Sequence, residues 1–295
     1  MRGENGKTLA AAENRCRDTN CRRRPNPHRH GSIFGSPHFH EAVHQRYSVE
    51  QVVDECATTE WAMKPSLEVF APDALWLRDY FVRVGGARVN ARMTLIKLRS
   101  GEILVHSPCA FDDSLTAEVA ALGPIAAIIA PGNFHWLHVR SCQRAFPDAA
   151  TYVCPGVEKR AKGLAFEFVL GDEVPRLWAN ELSQIVLRGT RLMREVAFFH
   201  RASRTLILVD LVENFTPATP GTNLLSRIVF RGLGMWNRPG PAPEYRLAWG
   251  DKSQVREDLE RILAWDFERV ILAHGDIITR DARQIVAQAW RKILR

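Results

Sequence analysis

The sequence predicts an α/β protein in which strands and helices alternate in packed layers. The chain has 295 residues, of which 46% are hydrophobic, so it is long enough to bury a large core. The run Ile125–Ala130 is continuously apolar, which is typical of a strand buried on both faces. Segments of helical composition flank it at 114–122 and 136–145. This alternation favours one layered α/β domain.

Further strands and helices are predicted on both sides of that region. Short apolar stretches indicate a meander of four strands, at 67–70, 74–77, 93–98 and 102–106. Later strands are expected at 151–154, 185–187, 195–200, 205–210 and 269–273. Ser253 is the expected N-cap of one late helix, and apolar residues at helical spacing predict a final helix that includes Trp290. The Pro- and Gly-rich stretch 216–250 is expected to be a long loop around one short helix, of the kind that often covers a site.

The positive charge is concentrated at the N-terminus. Residues 1–30 carry eight Arg or Lys and three acidic residues, which gives +5 of the net +7. We interpret 1–60 as a basic, disordered arm plus a short helix at 50–63, and 61–295 as the folded domain. The alternative is that the arm contacts nucleic acid or an anionic surface.

No segment predicts export or a membrane span. The longest apolar stretches fall far short of the roughly 20 residues that cross a bilayer, and the N-terminus lacks the apolar core of a secretory signal. The six cysteines do not form a disulfide-scaffold pattern. We therefore expect a cytoplasmic protein that has no membrane partner and acts on a small-molecule substrate, with nucleic acid not expected as a partner.

Two histidines follow the buried strand at its carboxyl end, where α/β sheets place ligands. His135 and His138 stand between this strand and the next predicted helix. Neutral imidazoles at this spacing suit zinc or iron. The alternative is a pair of histidines at a helix start with ordinary hydrogen bonds.

Two later predicted strands are also followed by residues of types that commonly bind metals. Asp210 follows the apolar run that begins at Leu206, and His274 follows Val270–Ala273 and precedes Gly275. An acid or a histidine after an apolar strand is common, so each is weak alone. The three strand ends together indicate one site.

These three segments resemble the metallo-β-lactamase superfamily. Its His-x-His-x-Asp-His motif is represented at its four specified positions by Asn133, His135, Leu137 and His138. The resemblance implies an αββα sandwich with metal ligands His135, His138, Asp210 and His274. Because the aspartate that serves a second metal is missing, it implies at most one ion, zinc or iron, with no ion as the alternative.

A narrower resemblance rests on the segments 131–138 and 195–211. They are similar to those of an uncharacterised family of metallo-β-lactamase-like proteins known only as domain of unknown function 4336, over about 67–295. That resemblance implies a fold and no substrate. The superfamily's middle histidine aligns near Arg191, where no histidine stands. Asn133 and Arg191 are therefore expected only as polar support of the site.

The hairpin register excludes His200 from the site. A four-residue loop pairs position 200 with 205, which places His200 five residues, roughly 16 Å at about 3.3 Å per residue, from Asp210. A hydrogen bond to a neighbour such as Ser203 is expected instead. The same register sets Glu195 across from Asp210, and like charges opposed on a sheet need a cation between them. Either a metal ion or an arginine, Arg191 or Arg194, is expected there.

Three functions follow from these residues. The first is a mononuclear metal-dependent hydrolase, in which Asp210 and Glu195 are the catalytic carboxylates and the histidines bind the ion. The second is a non-catalytic binding or scaffolding protein with a degenerate active site, which the replacements at 133, 137 and 191 favour. The third is a nuclease-like activity that uses the basic arm, and it ranks below both.

Overall fold

The computed structural model describes residues 67–84 and 87–295. The predictions for the N-terminal arm, the helix at 50–63 and the domain boundary after residue 60 lie outside those residues. The strands are β1 Glu68–Ala71, β2 Leu75–Val84, β3 Ala87–Lys97, β4 Ile103–His106, β5 Ile125–Ala130, β6 Ala150–Val153, β7 Phe168–Val169, β8 Leu182–Val186, β9 Val196–His200, β10 Thr205–Leu208 and β11 Arg269–Leu272. The helices are α1 Asp113–Ala120, α2 Val139–Ala145, α3 Val157–Arg160, α4 Leu224–Gly232, α5 Pro243–Ala248, α6 Lys252–Leu263 and α7 Ala282–Leu294.

The strands form two sheets. One has seven strands in the order β1-β2-β3-β4-β5-β6-β7, and the other has four in the order β11-β10-β9-β8. The meander β1 to β4 is antiparallel, whereas β4 to β7 run parallel and are connected through helices. In the smaller sheet, β10 and β11 are parallel and the other pairs are antiparallel. The predicted α/β class and αββα sandwich are confirmed.

The smaller sheet divides its side chains between two cores with a period of two residues. Val196 and Phe198 belong to the core shared with the larger sheet, whereas Ala197 and Phe199 face the core that contains α6 and α7. Both faces of this sheet are therefore buried. The second core includes Leu259 of α6 and Trp290 of α7. Leu115 and Val139, from α1 and α2, pack in the first core, so helices cover both sheets.

Several elements differ from the predicted ones. The strands β2 and β3 pair over ten positions, from Leu75–Ile96 to Val84–Ala87, and so extend beyond the apolar stretches that predicted them. Their outer halves carry charged residues, which hide the pairing from a hydrophobic pattern. The helix α6 is capped by Asp251, which accepts the backbone N–H groups of Ser253 and Gln254, and not by Ser253. The stretch 216–250 holds two short helices, α4 and α5, where one was expected.

Other predictions hold in the described residues. The hairpin pairs His200 with Thr205 across its four-residue loop, as expected. Cys109, Cys142 and Cys154 are free and buried. No helix in the described part of the chain is both long and apolar enough to cross a bilayer.

Candidate metal centre

Three strand ends meet at one edge of the two sheets. The parallel pair β10 and β11 aligns Leu208 with Leu272, so Asp210 and His274, each two residues further on, lie side by side. His135 follows β5, and Gly132 pairs with Glu195 in an isolated bridge that joins the end of β5 to the smaller sheet. This bridge between the two sheets brings His135 next to Asp210.

The three side chains converge on one carboxylate oxygen. The Oδ1 atom of Asp210 lies 3.2 Å from Nε2 of His135 and 3.4 Å from Nε2 of His274. One ligand atom of each residue lies within 4.8 Å of the others, which is the arrangement of a group that could hold a metal ion. The side chains of His135 and Asp210 are each 8% exposed and that of His274 is 13% exposed. The group is therefore almost enclosed.

The outer nitrogen of each imidazole has its own partner. Nδ1 of His274 lies 2.8 Å from the backbone carbonyl oxygen of Asn90, which can only accept, so this nitrogen carries the proton. Nδ1 of His135 lies 2.9 Å from the Ser107 hydroxyl. Ser107 has a positive φ of 53°, which is uncommon for serine and directs its hydroxyl from the end of β4. Such partners orient histidines that bind metals.

Burial and charge set the protonation of this group. Burial lowers the pKa of His274, which favours the neutral ring. Burial alone would raise the pKa of Asp210, but the neighbouring His135 and His274 outweigh it and lower the pKa of this carboxyl. Because Nδ1 of His274 donates to Asn90, its Nε2 is the nitrogen directed at Asp210.

Glu195 lies beneath Asp210, and the structure corrects the expected neutralising cation. Its Oε1 accepts the backbone N–H of Val209 at 2.7 Å, and its Oε2 accepts those of Asp210 and Leu211, both at 2.8 Å. Neither a metal nor an arginine takes these oxygens, because the backbone of the turn after β10 supplies the donors. Burial, together with the Asp210 charge, raises the pKa of Glu195 to about 8, and the three hydrogen bonds oppose that rise.

Asn133, which follows Gly132 at the end of β5, makes two side-chain hydrogen bonds. Its Nδ2 donates to the Leu192 carbonyl at 2.8 Å, and its Oδ1 accepts the Arg194 backbone N–H at 3.0 Å. This amide attaches the loop around 190–194 to the end of β5. It therefore acts as polar support, whereas the side chains of Arg191 and Arg194 are exposed.

His138 and His200 lie apart from the group of three. The structure places His138 at the N-cap of α2, edge-on to the Tyr80 ring at 5.5 Å between centroids, and burial lowers its pKa to about 4. It is not among the residues that converge. Nδ1 of His200 lies 2.7 Å from the Ser203 hydroxyl, as the hairpin register predicted.

Side chains of β3, in the larger sheet, hold the turn that contains His274. Oδ1 of Asn90 accepts the Gly275 backbone N–H at 2.9 Å, and Arg92 donates to the Leu272 and Gly275 carbonyls. Arg92 is itself paired with Asp79 at 2.6 Å. Gly275 has φ +83°, and a Cβ there would lie 2.2 Å from the Asn214 carbonyl oxygen, so only glycine fits.

The model of the family described as Domain of unknown function (DUF4336) matches residues 72–229, more than half of the chain. The chain belongs to the DUF4336 family. The matched range contains His135, Asp210 and Glu195 and ends before His274. No curated protein matches the sequence.

Solved structures place this DUF4336 chain in the metallo-β-lactamase fold. A metallo-β-lactamase from Pontibacter korlensis superposes with a TM-score of 0.55 at 9% identity, over 77% of this chain and 98% of that one. The enzyme FIM-1 from Pseudomonas aeruginosa, in its mono-zinc form, gives 0.53 at 11% identity, over 77% and 96%. A metallo-β-lactamase from Hirschia baltica gives 0.52 at 15% identity, over 78% and 98%. Likeness at these identities shows the fold alone.

Sequence reasoning missed two residues of the DUF4336 site, Ser107 and Asn90. Ser107 directly follows a strand that was predicted to end at 106, so a polar residue at a strand end was a usable signal. No sequence signal pointed to Asn90, because it lies in the part of β3 that the hydrophobic pattern did not reveal. Its contact with His274 is also made by a backbone carbonyl, which any residue has.

Proposed function

We propose that this chain is a mononuclear metal-dependent hydrolase in which His135, Asp210 and His274 hold one zinc or iron ion. The observation that carries the proposal is the convergence of His135 and His274 on Asp210. Nδ1 of His274 donates to the Asn90 carbonyl, so its Nε2 is the nitrogen that faces a carboxylate oxygen of Asp210, at 3.4 Å. Nε2 of His135 lies 3.2 Å from the same oxygen, and a cation bound among these atoms would be held by all three residues.

The donor set fits either metal. Two imidazoles and one carboxylate are found in zinc hydrolases and in non-haem iron sites, and three protein ligands leave a position open. An ion held by these three residues would supply Lewis-acid chemistry and would lower the pKa of water toward neutrality. Because the three side chains are only 8–13% exposed, we propose a small-molecule substrate.

The surrounding residues act through the ligands. Asn90 and Ser107 orient the two imidazoles, and the Arg92–Asp79 pair holds the turn before Gly275. We assign Glu195 as a positioning residue and not as a catalytic group, because both its oxygens are occupied by backbone donors. Asp210 is left as the carboxylate that contacts the ion.

A metal-free binding protein is the competing proposal. Asn133 supports it, since its amide is committed to Leu192 and Arg194 and contributes no ligand at a position where the superfamily has one. The two proposals differ in metal content.

Elemental analysis and zinc titration separate them. We expect stoichiometric zinc or iron after purification without chelator, and tight zinc binding that His135→Ala and His274→Ala each weaken by about 10-fold or more. His138→Ala is the matched control and should bind zinc like the wild type. If the His138→Ala variant loses zinc, His138 is a ligand, and the four-ligand set expected from the sequence is supported. A metal-free protein that binds zinc no tighter than these variants would refute the hydrolase.

Activity is tested separately from binding. The zinc-loaded and iron-loaded proteins are screened against small chromogenic esters, thioesters and phosphodiesters. We expect turnover of one class that chelator abolishes and that His274→Ala lacks. Stoichiometric metal without any turnover in this panel would contradict the hydrolytic proposal while leaving the metal site in place.

A further inference from the structure

Exposed apolar side chains are concentrated in one segment that the metal site does not use. Ten large hydrophobic residues are exposed in the described part of the chain, and five of them fall between positions 224 and 247. They are Leu224 at 73%, Leu225 at 47%, Ile228 at 58%, Leu233 at 45% and Leu247 at 77% exposed. Single exposed leucines are ordinary, but Leu224, Leu225 and Ile228 lie within five consecutive residues of one helix, and an exposed apolar patch of this kind marks an interaction surface.

The inner face of helix α4 packs against the domain, and its outer face is therefore exposed. Asn223 caps the helix by accepting the Ser226 backbone N–H, and the Ser226 hydroxyl donates to the Arg88 carbonyl of β3 at 2.8 Å. Phe230 is buried and stacks on Phe215 with 4.0 Å between centroids. The opposite face carries Leu224 and Ile228, one helical turn apart.

The same outer face is basic. Helix α4 contains no acidic residue, and Arg227 and Arg231, also one turn apart, are exposed beside the apolar pair. Both guanidinium groups lie over the Trp236 ring, at 5.9 Å and 4.9 Å from its centroid. Across 216–250 the sequence has four arginines and one acid, which gives +3.

We infer that α4 docks on an anionic phospholipid surface, with Leu224, Leu225 and Ile228 inserted among the acyl chains and Arg227 and Arg231 on the phosphates. Apolar side chains and arginines on one helix face match the two layers of a lipid interface, which is apolar below and anionic above. Docking of this kind needs no membrane-spanning helix. It departs from the sequence-based expectation that the protein has no membrane partner. It is independent of the metal and of hydrolysis.

Charge argues against the other occupants. A second copy would bring arginines against arginines. The segment 1–30 carries +5 and would be repelled by the +3 of 216–250. A nucleic acid would pair with the arginines but leave the exposed leucines without an apolar partner, since its affinity comes mainly from phosphate contacts.

Vesicle sedimentation of the full chain tests the inference. The probes are vesicles of phosphatidylcholine alone and of phosphatidylcholine mixed with phosphatidylglycerol. We expect binding to the mixed vesicles that falls with added salt, and weak binding to the neutral ones. Equal binding to both, or binding to neither, would overturn the inference.

Variants assign the binding to α4. The Leu224→Ser, Ile228→Ser double variant should lower partitioning by at least about tenfold, and the Arg227→Gln, Arg231→Gln variant by about fivefold per arginine. The control is Val69→Ser, Val169→Ser, which changes two exposed valines on β1 and β7, at 56% and 49% exposure, and should bind like the wild type.

Two outcomes would assign the surface elsewhere. If the Leu224→Ser, Ile228→Ser variant binds as the wild type does, the basic segment 1–30 carries the binding and the inference fails. If light scattering shows a dimer that this variant dissociates, the occupant is a second copy of the chain and the inference fails as well.

Discussion

Glu195 holds Asp210 by its backbone: the Glu195 Oε2 atom accepts the Asp210 N–H at 2.8 Å while the Asp210 side chain faces two histidines. A buried carboxylate thus fixes the turn that presents the candidate ligand. Its oxygens are used by three amides of the same turn, Val209 to Leu211. The position of Asp210 therefore depends on a residue fifteen positions earlier in the chain.

Replacement of Glu195 is expected to damage both stability and the site. In Glu195→Ala, three buried N–H groups lose their acceptor, and each unsatisfied group costs about 1–3 kcal/mol. We expect a loss of at least about 3 kcal/mol in urea unfolding, together with weaker zinc binding. The control is the Arg191→Met, Arg194→Met variant, in which two exposed side chains change and the free energy of unfolding should move by no more than about 0.5 kcal/mol. Similar losses in both proteins would show that an arginine neutralises the carboxylate after all.

Asn133 is expected to stabilise the loop that follows Thr190. Asn133→Ala removes partners from the Leu192 carbonyl and the Arg194 N–H, so the unfolding free energy should fall by about 1–3 kcal/mol. Hydrogen exchange should accelerate at the Arg194 amide. Asn180→Ala, at an exposed position, is the matched control and should leave both measurements unchanged. An unchanged exchange rate in Asn133→Ala would mean that this amide does not hold the loop.

Alanine substitutions at Gly275 and Gly101 distinguish the energetic cost of a steric contact from that of backbone strain. Both have a positive φ, +83° and +91°, but a Cβ at Gly275 would lie 2.2 Å from a backbone oxygen, whereas nothing lies within 4 Å of one at Gly101. Gly101→Ala should cost about 1–2 kcal/mol from strain alone. Gly275→Ala should cost more and should weaken zinc binding, because it displaces the turn that begins at His274. Equal losses, with zinc affinity retained, would contradict the close fit.

His106 is expected to make the protein sensitive to acid. Burial, with a contribution from His135, lowers the pKa of His106 from 6.5 to about 3, and its Nε2 has no hydrogen-bond partner in the described residues. Between these two pKa values the unfolded chain binds a proton that the folded one does not. Stability therefore falls as the pH falls through this window.

The His106→Leu variant measures this effect. Between about pH 7 and about pH 5 it should lose about 2 kcal/mol less stability than the wild type. Ile103→Val changes core packing without changing titration, so its pH dependence should match that of the wild type. Other buried histidines, such as His138, titrate in all three proteins and cancel in the comparison. Parallel pH profiles for His106→Leu and the wild type would show that His106 has the same pKa in the folded protein as in the unfolded chain, which would contradict the prediction.

The sequence by itself determined the layers and the strand ends. The apolar run Ile125–Ala130 indicated a buried strand because six residues are too few for a typical buried helix but suit a strand covered on both faces. The four-residue hairpin loop fixed the pairing of His200 with Thr205, which placed His200 far from Asp210. Asp210 and His274 follow apolar strands that pair in parallel, whereas His135 follows a strand of the other sheet, and only the resemblance to the metallo-β-lactamase superfamily grouped it with them.

Only the tertiary structure decided which groups support these ligands and which histidine stays apart. A backbone carbonyl, such as that of Asn90, leaves no mark in a sequence, yet it sets the tautomer of His274. The carboxylate of Glu195 required a partner, and the sequence pattern suggested a cation. The structure shows backbone N–H groups as the donors, and because almost every residue has such a group, the sequence does not mark them. His138 matches the spacing of the motif, but its position at the start of α2 directs its ring to Tyr80. Spacing in the sequence does not determine the direction of a side chain, and a metal ligand must point at the site.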